Sequence, residues 1–169
     1  MAYSLNQIDK IFLTFAQNHK QINSYGFGDP SDIGNNTLQL NWSAGVLNGR
    51  ESSPVYPLLW VSPQPSEINR HFVIWKLTII ICDLIKKDDT NQTEVLSDTQ
   101  QIMQDTIANL QTPAFVPYFT IGNEFSYTIT PFTEEKFDDE TAGWLCDIEL
   151  RTVNVNDRCA IPMVGAPSS

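Results

Sequence analysis

Phe72–Leu110 reads FVIWKLTIIICDLIKKDDTNQTEVLSDTQQIMQDTIANL, and the fold turns on the change of hydrophobic period inside it. Through Ile81 the apolar residues alternate, so Val73, Trp75, Leu77, Ile79 and Ile81 share one face of an extended strand. Lys76 and Thr78 fall among apolar residues on the other face, which predicts partial burial there. After the polar joint Lys86–Thr93 the period becomes about 3.6. Val95, Thr99, Ile102, Met103, Thr106, Ile107 and Leu110 then line one face of a helix, with Asp98, Gln101, Gln104, Asp105 and Asn109 largely opposite. A strand feeding a helix in this way can bury both apolar faces against each other, at about 1.5–3 kcal/mol per large side chain before the entropy cost.

Upstream, Leu5, Ile8, Phe12 and Phe15 recur at helical spacing, predicting a first helix over residues 5–19 with Ser4 as its cap. His19 and Lys20 suit the negative end of that helix, which is a structural role for His19 and not a catalytic one. Gly26–Ser53 is rich in Gly, Asn, Asp and Ser and is expected to be a loop, one short strand near Thr37–Trp42, and another loop. Gly26 and Gly28 there suggest a turn. Val55–Val61 is expected to be a buried strand in which Pro57 marks an edge, a bulge or the strand's start. In the polar joint, Asn91 and Glu94 have the spacing of a capping box. The same joint resembles a calcium loop only at its start, since it has no turn glycine and Gln100 stands where a bidentate Glu is needed.

Downstream of the second helix, Tyr118–Thr130 reads as an extended segment, with Phe125, Tyr127 and Ile129 alternating against Ser126, Thr128 and Thr130. Pro131–Gly143 is expected to be an acidic loop with two aromatics. Trp144–Val155 is the last strand. Together these elements predict an α+β fold: a mostly antiparallel twisted β-sheet with an N-terminal helix and a central helix on one face, long loops and an extended C-terminal arm.

The chain has 169 residues, 41% of them hydrophobic, which suits one domain with a core of its own. The expectation is a globular part over residues 1–158 and an arm over 159–169. A formal net charge of -10 opposes a broad phosphate-binding surface. The N-terminus lacks the basic and apolar regions of a secretory signal, and no apolar run is long enough to span a bilayer. A soluble protein made in a reducing cytoplasm is therefore expected, with no membrane partner. Cys82, Cys146 and Cys159 are far apart and odd in number, so they read as thiols, the first two buried in strands.

Catalytic chemistry finds little support. The two histidines, His19 and His71, accompany no nucleophile elbow, and there is no P-loop or dinucleotide fingerprint. Five carboxylates between Glu134 and Glu140 are the best candidate for an acid–base pair or a divalent-ion site. Consecutive residues need not converge, however, and a charged run is ordinarily a solvated segment. No catalytic, cofactor-binding or metal-ligating residue is assigned, and the chain is not expected to be an enzyme.

The strand Tyr56-Pro57-Leu58-Leu59-Trp60-Val61, the passage from Asp83-Leu84 to Glu94–Thr99, and Pro131-Phe132-Thr133-Glu134 with Asp138-Asp139 and Ala142-Gly143-Trp144 form an ordered set. With the closing Cys159-Ala160-Ile161-Pro162, the order of pieces resembles the head–tail completion proteins of tailed bacteriophages, in particular tail terminators and neck-ring proteins. That resemblance implies a subunit of a ring, expected to be hexameric, that caps the tail tube and joins it to the head. Its implied partners are further copies of itself, tail-tube and neck or connector proteins, and DNA passing non-specifically through the lumen. Its implied location is the virion tail or neck, after assembly in the host cytoplasm. The expected interface residues are Phe132, Glu134, Glu135, Lys136, Phe137, Asp138, Asp139, Ile161, Pro162 and Met163. A transient binding module or assembly chaperone is the alternative, and an acidic-loop hydrolase or metal enzyme a third.

Overall fold

A computed structural model of the chain describes residues 4–33, 37–40, 50–51, 55–86, 90–111, 120–121, 127–136 and 139–154. Helix α1 spans Leu5–Asn18 and α2 Gln92–Leu110. The strands are β1 (Ser24–Phe27), β2 (Thr37–Gln39), β3 (Arg50–Glu51), β4 (Leu58–Pro63), β5 (Glu67–Ile68), β6 (Phe72–Leu84), β7 (Thr120–Ile121), β8 (Ile129–Lys136) and β9 (Asp139–Val153). Among the described residues these form a single sheet in the order β3-β2-β1-β4-β6-β9-β7, with β5 pairing β6 and β8 pairing β9. Only β1 and β4 run parallel; the other pairs are antiparallel. The α+β expectation holds, with the mostly antiparallel sheet and the helices on one face.

The spine is the β6–β9 ladder, in register from Phe72 opposite Val153 to Leu84 opposite Thr141. At about 3.3 Å per residue it is roughly 40 Å long. Its odd-numbered β6 residues Leu77, Ile79 and Ile81 join Leu59 and Val61 of β4 and Cys146, Ile148 and Leu150 of β9 in the main core. Ile8, Phe12 and Ala16 of α1 and Ile102, Met103 and Leu110 of α2 close over them, with Trp75 and Ile107 packed at the border. The strand-to-helix reading of Phe72–Leu110 is therefore the centre of the fold. Trp144 pins α2 to this face, its indole Nε1 donating to the Leu96 carbonyl at 2.7 Å.

The two helices are ended by different means. Ser4 caps α1 in a capping box: its Oγ accepts from the Gln7 N–H at 3.3 Å, and Gln7 Oε1 accepts from the Ser4 N–H at 2.7 Å. Asn91 precedes α2, but the expected capping box with Glu94 does not form, and the helix start has no side-chain cap. Asn91 Oδ1 instead accepts from the Lys86 N–H at 2.7 Å, so the side chain closes the β6–α2 joint. An asparagine has one acceptor oxygen well placed for such a bond, and the tight joint uses it.

On the sheet's other face Ile33, Leu58, Trp60, Ile80 and Cys82 form a second apolar cluster, flanked by Tyr56, Phe132 and Leu145. Trp60 is fully buried and donates from Nε1 to the Gly28 carbonyl at 3.0 Å. Its ring lies across Gly26, where a β-carbon would come within 2.0 Å of Trp60 Cζ3. The turn expected at Gly26 is thus a strand, β1, whose missing side chain makes room for the indole. Of the two glycines it is Gly28 that has the positive φ, 137°, of a turn glycine. The segment then passes through a short 3-10 helix, Pro30–Asp32, where Asp29 Oδ1 accepts from the Ser31 N–H at 2.9 Å. That contact, chiefly the backbone one, holds the Asp29 carboxyl below its ordinary range.

Other boundaries shift for local reasons. The strand expected from Val55 begins at Leu58, directly after the cis Tyr56–Pro57 bond, and it lies inside the sheet between β1 and β4's other neighbour β6. The extended segment expected over Tyr118–Thr130 contributes β7 and the first residues of β8, while its residues 122–126 lie outside the described residues. The last strand starts at Asp139, not Trp144, and ends at Val153. The arm over residues 159–169 lies outside the described residues.

Candidate functional site

The stretch expected to be an acidic loop is instead a hairpin. Residues Ile129–Lys136 of β8 pair with Asp139–Cys146 of β9, in register from Ile129 opposite Cys146 to Lys136 opposite Asp139. The polar residues Thr133, Glu134, Glu135, Glu140 and Thr141 masked the strand in the sequence, because alternation of apolar residues stops at Phe132. Pairing with the firmly buried β9 overrides that weak local preference.

The hairpin outruns the sheet. The last β6–β9 pair is Leu84 with Thr141, and past it the Ile85 N–H donates to the Glu140 carbonyl at 3.0 Å. Beyond Thr141 the described pairs of the hairpin are Glu135 with Glu140 and Lys136 with Asp139. Glu135 and Glu140 are direct cross-strand partners.

The hairpin's root is rigid. Gly143 sits opposite Cys82 and Phe132, and a β-carbon there would lie 1.9 Å from the Ile81 carbonyl oxygen, so close approach of β9 to β6 requires glycine. Phe132, expected at the interface, is half-buried against the second-face cluster and anchors the hairpin to the sheet. Glu134, Glu135, Lys136 and Asp139 are brought together at the tip by their backbone register. Phe137, Asp138, Ile161, Pro162 and Met163 lie outside the described residues. Among the described residues β8 pairs only with β9, and Thr130, Pro131 and Thr133 along it are exposed. Proline has no N–H to give a ladder, so Pro131 fits an outer strand.

A second feature lies on the polar half of the second face. A groove of about 330 Å³ is lined by Gln64, Lys76, Thr78, Asp147 and Glu149 with Leu77 and Ile148. Its groups engage one another: Thr78 Oγ1 donates to Asp147 Oδ1 at 2.6 Å, and Lys76 Nζ lies 3.5 Å from Glu67. Lys76 and Glu149 are also cross-strand partners, and Arg151 stands 3.9 Å from Glu149. The groove's lining contains no histidine.

Elsewhere the reactive side chains serve the fold. Cys82 and Cys146 are free, buried thiols, as expected. Burial, with the Asp147 charge adding to it, pushes the Cys146 thiol up to about 11, which keeps it protonated. His19 Nε2 lies 2.8 Å from Asp105 Oδ2, joining the end of α1 to α2. Tyr25 donates to Asp9 Oδ1 at 2.7 Å, joining β1 to α1, and its burial, before the Asp9 charge, raises the phenol far above its ordinary value. Burial also raises Asp83, with Asp98 adding to it and the Leu84 N–H opposing it. Among the described residues no group of three or more His, Cys, Asp or Glu side chains is placed to hold a metal ion. None of the helices described is long and apolar enough to cross a membrane.

The sequence reading passed over one surface. At the opposite end of the ladder from the acidic hairpin, Ile68, Phe72 and Val153 are exposed around the β5–β6 turn. The signal was present in Asn69-Arg70-His71, an Asx-type turn sequence between two apolar residues.

In comparisons with known proteins, no family model, curated protein or solved structure matches the chain.

Proposed function

We propose that the chain is a structural, non-enzymatic virion subunit of a tailed bacteriophage, forming a ring that terminates the tail tube or connects it to the head. The observation that carries this reading is the β8–β9 hairpin, which is acidic in sequence and runs two residue pairs past the last β6–β9 pair. A ring subunit needs such a projection to reach its neighbour. The net charge of -10 also suits a lumen through which DNA slides without phosphate contacts. The partners under this reading are other copies of the chain, tail-tube protein and neck or connector protein, and the location is the virion.

The test is light scattering and negative-stain microscopy of the purified chain, alone and with tail-tube and neck proteins. Rings or ring-capped tubes are expected. A chain that stays monomeric with both partners present sinks the reading. The groove beside Lys76 and Asp147 favours a second reading, a transient binding module or assembly chaperone, and absence of the polypeptide from purified particles would select it.

A further inference from the structure

We propose that Pro131 is a guard residue, which keeps the outer edge of β8 from pairing with the β8 of a second copy and so running one sheet into the next. The inference goes beyond the ring reading and does not depend on it. Among the described residues four strands pair on one side only: β3, β5, β7 and β8. The first three are two residues each, too short to serve as a template for another strand. β8 is eight residues long. Residues 127–133 carry no charge and, Pro131 apart, are the Tyr, Thr, Ile and Phe that favour strands. An edge of that length and composition is a site of sheet-to-sheet association unless something interrupts it.

The ladder fixes which way Pro131 faces. In an antiparallel pair, residues directly opposite one another alternate between exchanging backbone hydrogen bonds and not exchanging them. The Ile85 N–H donates to the Glu140 carbonyl at 3.0 Å, and at the other end of the ladder the Asn154 N–H donates to the His71 carbonyl at 2.9 Å. The β6–β9 register between them is unbroken, so the even-numbered residues of β9 turn their backbone groups toward β6 and the odd-numbered ones toward β8. Opposite Leu145 and Gly143, two of those odd residues, stand Thr130 and Phe132. Thr130 and Phe132 therefore bond to β9, whereas Ile129, Pro131 and Thr133 turn their backbone groups outward.

A second β8 arriving antiparallel about a two-fold axis meets that outward set with its own. Centred on Pro131, the pairing sets Ile129 opposite Thr133 and the two prolines opposite each other. Ile129 and Thr133 have N–H groups to give. Pro131 has none, and its ring carbon Cδ stands where the hydrogen would be. With the axis moved to Thr130, Pro131 lies opposite Ile129 and still gives no bond. Thr130, Pro131 and Thr133 are all exposed, so burial does not shield this stretch. The proline takes no bond from the fold itself, because its nitrogen faces away from β9 and the β8–β9 register runs through it unbroken. Three outer strands are thus protected by being short, and the long one by a residue that cannot complete a ladder.

Sedimentation velocity and amide hydrogen exchange of the full chain and three variants test this. Pro131→Val and Pro131→Thr restore an N–H at an exposed, outward position. Pro131→Val with Thr133→Pro moves the guard to the next outward position, where the ladder to β9 again loses no bond. The single variants are expected to associate beyond whatever oligomer the unaltered chain forms, at least about ten-fold more tightly, since each copy brings one new hydrogen bond across the axis. The amides of Ile129 and Thr133 should become protected as concentration rises. The double variant is expected to behave like the unaltered chain. If the single variants keep the far-UV circular dichroism of the unaltered chain and associate no more tightly, the guard role is overturned. It is overturned too if the double variant associates like Pro131→Val, because the contact then does not run along β8. Loss of the fold in both single variants also overturns it, by showing that β8 itself needs the proline. Whether the unaltered chain forms rings bears on the ring reading alone.

Discussion

The two faces of the β6–β9 ladder are made by the same residues in alternation, yet they have different fates. The helix face is apolar along its length and sealed by α1 and α2. The second face is apolar around Trp60, Ile80 and Cys82, turns polar from Thr78 and Asp147 to Lys76 and Glu149, and is apolar again, though exposed, at Phe72 and Val153. The difference teaches where the fold has a choice. The helix face has to exclude water for the chain to fold, whereas the second face excludes it around Trp60 and leaves the groups near Lys76 and Glu149 open to it.

Truncating Trp60 challenges the claim that the second face holds real core. Trp60→Ala removes the largest fully buried side chain among the described residues and its bond to Gly28. It should cost about 3–5 kcal/mol in urea unfolding. A loss under about 1 kcal/mol would reduce that cluster to a surface feature.

Ile79→Ala probes the helix face, where Ile79 is fully buried. A loss of about 2–5 kcal/mol is expected from the same measurement. Its neighbour provides the contrast. Thr78→Val, on the polar half of the second face, gives up the 2.6 Å bond to Asp147 where water can replace it. A change within about 1 kcal/mol is expected, and a cost as large as that of Ile79→Ala would erase the distinction between the faces.

Smallest in magnitude but most informative in sign is Asp83→Asn. Burial raises the folded-state pKa of Asp83 above its ordinary value. The folded chain then holds that proton more tightly than the unfolded chain, so this group's contribution becomes less favourable as pH rises from the ordinary carboxyl value through the raised one. Above that window Asp83 is destabilising. Asparagine keeps the acceptor for the Leu84 N–H without the charge, so it should raise the melting temperature slightly at neutral pH. The difference should vanish in acid, and a melting-temperature series against pH reads it.

The acidic hairpin and the Gly26 strand show why parts of the molecule were hidden in the sequence. In both, a residue's local preference points away from its final state. Glu134, Glu135 and Glu140 look like loop because nothing nearby in the chain shows β9 pairing them. Gly26 looks like a turn because the ring that fills its space belongs to Trp60, 34 positions later in the sequence. The segment between 134 and 140 was legible as a charged run, but its pairing as β8 and β9 and the close approach at Gly143 were not. The apolar turn at the opposite end went unread, since exposure of Ile68 or Phe72 is a property of the assembled sheet.

By itself the sequence determined the main strand, both helices, the face each one buries and the thiol state of Cys82 and Cys146. Those follow from periodicity and side-chain polarity, which are local. Only the tertiary structure decided that β1 runs parallel to β4, that Asp139 to Val153 is one strand, and that Ile68, Phe72 and Val153 are left exposed at one end of the ladder. Those depend on which distant segments satisfy one another's backbone hydrogen bonds, and no single stretch of chain carries that information.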